Sequence, residues 1–79
     1  MSYLNVRVVD GDDDPVAGER VMIVIHHSGL RPPTNMTEHT DSEGVANFDF
    51  NSGESVDVYV RGSMELQGVG VDDEVTVSV

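Results

Sequence analysis

Apolar residues recur at every second position along most of this chain, and helical three-and-four spacing is nearly absent. In residues 3–10, Leu4, Val6 and Val8 alternate with Asn5, Arg7 and Val9, which predicts a first strand. Residues 19–27 form the strongest predicted strand. Val21, Ile23 and Ile25 mark one face, and Met22, Val24 and His26 the other, so the second face is also partly apolar. Pro32, Pro33 and Gly29 make the next segment a loop. A short polar strand is expected over 35–40 and a turn over 41–44. Residues 45–50 then form a strand with Ala46, Phe48 and Phe50 on one face. After a tight turn at 51–54, residues 55–61 place Val56, Val58 and Val60 inward and Asp57, Tyr59 and Arg61 outward. A weaker strand over 64–71, loosened by Gly68 and Gly70, and a last one over 75–79 complete the series. About seven short strands at this spacing predict an all-β, Greek-key β-sandwich, a single domain over residues 1–79.

Charge adds a second constraint. Fifteen acidic residues face four arginines and no lysine, for a net charge of -11. Such a chain has little with which to neutralise phosphates, so neither nucleic acid nor an anionic membrane surface is an expected partner. The longest apolar run, VMIVI, is far too short to span a bilayer. Disulfides and thiol chemistry are excluded because cysteine is absent. With its many aspartates and no lysine, the composition resembles that of extreme halophiles. At molar salt the Debye length falls to about 3 Å, and crowded carboxylates repel one another little. The start, MSYLNV, has no signal-peptide pattern. If Met1 is the native start, the expected location is the cytoplasm; otherwise the chain is expected to be a domain of a cell-surface protein.

Two turn segments carry a family resemblance. Residues 10–21 read DGDDDPVAGERV, and residues 40–50 read TDSEGVANFDF. Together they resemble the carboxypeptidase-regulatory-like, or transthyretin-like, β-sandwich domains, whose folds are immunoglobulin-like or prealbumin-like. Bacterial immunoglobulin-like surface domains carry similar signals. The resemblance implies a structural, adhesive or interaction module. It departs from the family pattern at Glu19, where a small residue is usual and where the side chain is expected to face solvent.

Three kinds of candidate site follow. The aspartates at 10, 12 and 14 match the opening of a calcium loop, but Pro15 stands where such a loop needs glycine, and Val21 where it needs glutamate. What remains is an irregular calcium or other divalent-cation site built from Asp12, Asp13 and Asp14. A second metal set combines His27 or His26 with His39 across a ladder, helped by Glu38 or Asp41. The segment Tyr59-Val60-Arg61-Gly62-Ser63 partly resembles the terminal tetrapeptide of hydroxyisourate hydrolases. Val60 interrupts the match and the chain runs on to Val79, so a small transthyretin-like hydrolase is the third-ranked function. No nucleophile–base–acid set can be assembled. The leading reading is therefore a non-enzymatic module without a cofactor. It would bind a protein partner or a second copy through a sheet face carrying Tyr3, Val9, Met22, Val24 and Tyr59.

Overall fold

The computed structural model describes residues 2–51 and 53–79. Among these, seven strands run in the expected order: β1 Ser2–Val9, β2 Arg20–His26, β3 Thr34–His39, β4 Val45–Phe50, β5 Ser55–Val60, β6 Ser63–Val69 and β7 Asp73–Ser78. The turn expected at 51–54 includes Ser52, which lies outside the described residues.

The strands form two sheets, β4-β1-β7 and β3-β2-β5-β6. The chain passes from one sheet to the other after β1, β3, β4 and β6, and pairs locally only at the β2–β3 and β5–β6 hairpins. The result is an immunoglobulin-like Greek-key sandwich. All pairings are antiparallel except β1 with β7, which run side by side in parallel from Leu4↔Asp73 to Val9↔Ser78.

Period-two alternation explains the core. Leu4, Val6 and Val8 from β1 meet Val21, Ile23 and Ile25 from β2, with Phe48 from β4 and the valines of β5 between them; each is fully buried or nearly so. Val77 seals the β7 side, while the edge strands β3 and β6 contribute only the half-buried Met36, Leu66 and Val69. Among the described residues, every buried side-chain nitrogen or oxygen has a hydrogen-bond partner.

Two turns share one hydrogen-bond plan. In the first, the Asp10 carboxylate accepts from the backbone N–H of Asp12 and Asp14, and Asp13 N–H donates to the Asp10 carbonyl. In the second, the Asp41 carboxylate accepts from Glu43 and Val45, and Gly44 N–H donates to the Asp41 carbonyl. The fourth position is left-handed in both, with φ of 64° at Asp13 and 77° at Gly44. Each leading aspartate thus satisfies two turn amides. Asp13 performs glycine's task with a side chain that favours it less. Asp13→Gly removes a left-handed penalty of about 1–2 kcal/mol, offset in part by about 0.4–1 kcal/mol of added freedom in the unfolded chain. The expected result is a stability gain of about 0.5–1 kcal/mol in urea unfolding, with Asp12→Gly as a control that shows none.

The two turns pack on each other at one end of the sandwich. Gly18 N–H donates to the Thr40 carbonyl and Thr40 N–H to the Glu19 carbonyl. The buried Thr40 hydroxyl donates to the Val16 carbonyl and accepts from Glu19 N–H. The segments that carried the family resemblance therefore form one structural unit.

Candidate functional site

Antiparallel pairing fixes which outward side chains become neighbours on the four-stranded sheet. Met22 of β2 lies opposite Tyr59 of β5, and Tyr59 lies opposite Met64 of β6. Val24 is next along β2, opposite Asp57. Met22, Val24 and Tyr59 are half-buried, and Met64 is exposed. An apolar strip thus crosses three strands on this outer face, at positions that the core does not use.

The strip is bordered on one side by a polar knot around a buried carboxylate, whose partner His26 is exposed. Asp57 falls in the outward phase of β5 yet is only 8% exposed. Register shifts in the β5–β6 ladder bring Gly68 over it, so that its carboxylate accepts from Gly68 N–H at 3.0 Å and contacts His26 Nε2 at 2.8 Å. The His26 contact, and then the Gly68 amide, hold the Asp57 carboxyl below the usual carboxylate range, against a smaller opposing effect of burial. Because the folded value is depressed, this stabilisation is complete above the unfolded value near 3.9 and disappears as pH falls through the folded value. Urea unfolding from pH 5 down to pH 2 checks this. The stability difference between the native protein and Asp57→Asn should be greatest at pH 5 and shrink steadily below pH 4.

At the other side of the strip lies a small pocket lined by Arg20, Met22, Tyr59, Arg61 and Gly62, with about 170 Å³ of open space. Arg61 and Gly62 form the two-residue β5–β6 turn, with φ of 56° and 78°, the left-handed pair of a type I′ hairpin. The segment read as part of a hydrolase tetrapeptide is this turn. Arg61 Nε donates to Glu19 Oε1. Glu19 therefore departs from the solvent-facing position expected of it: its side chain is 16% exposed and is taken up by Arg61.

The remaining candidates are dispersed. Of the five interface residues, Met22, Val24 and Tyr59 share the face described. Tyr3 lies on the other sheet, opposite Asp49, and is 42% exposed. Val9 is buried, because the chain folds back over it through a bridge with Pro15 and a bond from Val79 N–H to its carbonyl. The histidine pair is corrected by the β2–β3 register. His39 lies opposite Arg20, whereas Ile25 lies opposite Thr34, next to His27. At about 3.3 Å per residue the two imidazoles stand roughly 20 Å apart and cannot share an ion. His26 is engaged with Asp57 and Asp41 with its own turn.

His27 Nε2 contacts the Thr34 hydroxyl at 2.9 Å beside a groove of about 430 Å³, lined in part by Met36, Phe50 and Asp49. Among the described residues no carboxylate bonds to this imidazole, so a hydroxyl and a base meet without the third group that orients a catalytic base.

The acidic turn brings Asp10, Asp12 and Asp14 together, each with a carboxylate oxygen within 4.8 Å of the others. Asp13, named among the sequence candidates, lies outside this set, and Asp10 replaces it. The carboxylates at positions 10, 12 and 14 of the turn converge, and Asp13 occupies its left-handed position.

No curated protein matches the sequence. The family described as macroglobulin domain MG4 matches residues 2–75. That family is immunoglobulin-like, so the fold implied by the turn motifs holds, while the family matched is macroglobulin rather than carboxypeptidase-regulatory-like. With nearly its whole length matched, this chain belongs to the macroglobulin domain MG4 family.

Proposed function

We propose that this domain is a non-enzymatic contact module that binds a protein partner through the outer face of its four-stranded sheet. One observation carries the reading: Met22, Val24, Tyr59 and Met64 are neighbours on a face that the core leaves uncovered. Apolar side chains in one contiguous strip mark a contact surface, whereas scattered ones do not. Macroglobulin domains belong to extracellular proteins, which favours a cell-surface setting over the cytoplasmic one. Among the described residues no helix is long and apolar enough to cross a membrane. A photo-crosslinking residue placed at Tyr59 should capture a defined protein in extracts of the native host, and the same residue at Tyr3 should not. Equal capture at both positions would defeat the assignment of the face.

A second reading is favoured by the convergence of Asp10, Asp12 and Asp14: the turn binds a divalent cation such as calcium. One Asp10 oxygen is taken by two turn amides, which leaves its second oxygen and the exposed Asp12 and Asp14 carboxylates to serve as ligands. A calcium titration followed by NMR should then move the amides of residues 10–14 saturably, with magnesium weaker. Shifts spread over the whole acidic surface would mean screening alone.

The acidity itself supports adaptation to high salt. Crowded carboxylates repel in dilute buffer and are screened in molar KCl. The melting temperature is expected to rise by roughly 5–10 °C between dilute and multimolar KCl, equivalent to about 1–2 kcal/mol in a domain of this size. A flat response would remove the halophilic reading.

A further inference from the structure

We propose that the pocket between Arg20 and Arg61 seats a carboxylate side chain of a protein partner, with the partner's neighbouring apolar residues lying on the Met22–Tyr59–Met64 strip. This deepens the contact-module reading and rests on it.

The charge distribution points there first. The chain carries only four arginines against fifteen acidic residues, yet two of the four line one small pocket. Arg61 is anchored through Nε to Glu19, whose own backbone N–H is held by Thr40. That anchor leaves the terminal nitrogens of the guanidinium, on a side chain 61% exposed, without an acceptor among the described residues. Arg20 is exposed and makes no ion pair among the described residues. Although the surface is rich in carboxylates, none lines the pocket; its remaining members are Met22, Tyr59 and Gly62. The unpaired Arg20 and the free edge of the Arg61 guanidinium, of which Glu19 engages only Nε, lie beside an apolar floor and form a complementary site for a further anion.

Size and surroundings define the anion. About 170 Å³ is below the roughly 300–1,000 Å³ of cofactor and small-ligand sites, and suits one side chain. The pocket opens onto the apolar strip through Met22 and Tyr59, which face each other across β2 and β5. A free inorganic anion gains nothing from that strip, whereas a carboxylate flanked by apolar side chains uses both parts. A second copy of this chain is the poorer occupant. Two chains at -11 repel at ordinary ionic strength.

The test uses ¹⁵N-labelled protein titrated with acetyl-Val-Glu-Val-amide, acetyl-Val-Gln-Val-amide and inorganic phosphate. The glutamate peptide is expected to give saturable shifts at Arg20, Met22, Tyr59 and Gly62, with affinity about tenfold above the glutamine peptide. Arg20→Gln, an exposed change with no ion pair to disturb, should abolish that difference while Met64→Gln weakens both peptides. Equal binding of the two peptides, absent shifts, or phosphate matching the glutamate peptide at these residues would overturn the proposal. So would shifts that depend on protein concentration without peptide, since they would identify a second copy as the occupant. Crosslinking at Tyr59 with no peptide preference would leave the contact face standing and reject the carboxylate; failure of both would reject both.

Discussion

Gly44→Ala is expected to remove a large share of the domain's stability, several times what the same change costs at Gly18. A Cβ at this position would lie 2.7 Å from the Val8 carbonyl oxygen, 2.9 Å from Pro15 Cβ and 3.0 Å from the Val16 nitrogen. Two of these are backbone atoms, so relief requires moving β1 or the 15–16 segment rather than rotating a side chain. The left-handed φ of 77° adds strain of its own. The movement would also disturb the 2.7 Å bond from Val8 N–H to the Gly44 carbonyl, which ties the turn to the sheet. The combined cost is about 2–4 kcal/mol. A domain of this length has roughly 4–12 kcal/mol in total. Gly18→Ala is the matched control: φ is 72° but nothing lies within 4 Å of the added carbon. It should cost about 1 kcal/mol, from backbone conformation alone. Urea denaturation of both variants separates steric from conformational cost, and similar losses would show that the Val8–Pro15 approach is unimportant.

Phe48→Ala should have an effect at least as large. Phe48 is the largest fully buried side chain of the core, where Phe50 is slightly more exposed and tryptophan is absent. It lies opposite Leu4 across the β1–β4 ladder and faces the valines and isoleucines of the other sheet. Small domains have few such side chains, and nothing nearby can expand to fill the space. Removal costs about 3–5 kcal/mol through lost burial and an unfilled cavity. Phe48→Leu retains most of the volume and should cost about 1–2 kcal/mol. If calorimetry or urea titration shows Phe48→Ala costing no more than Phe48→Leu, the β1–β4 layer is not packed as described.

The strands were legible because their signal is local. β4 falls on the residues its alternation predicted, and β1, β2 and β5 end within one residue of expectation. What the alternation missed depends on partners distant in the chain. Val9 reads as outward from phase alone, and only the return of Pro15 over it explains its burial. Asp57 occupies an outward position as predicted, but the irregular β5–β6 ladder lowers Gly68 onto it. Glu19 and Arg61 are 42 residues apart, and no pattern in the sequence connects them. The histidines failed as a pair because register within β2–β3 is set by the length of the intervening loop, which places His39 against Arg20. In the acidic turn the spacing was visible and the geometry was not. Gly44 announces its left-handed position, while Asp13 occupies the same one without a glycine to reveal it.

The parallel pairing of β1 with β7 has a mechanical consequence. A pull on the start of β1 and the end of β7 draws neighbouring strands past each other, in opposite directions along their shared edge. The register from Leu4↔Asp73 to Val9↔Ser78 is then loaded in shear, with its hydrogen bonds sharing the force instead of opening one after another. The Tyr3–Asp72 contact, in which each residue's backbone N–H donates to the other, stands at the loaded end of that edge. Stretched along this axis, the sandwich resists extension as a clamp, whereas a pull across the β5–β6 hairpin would unzip it from its open end at Val56 and Val69 toward the Arg61-Gly62 turn.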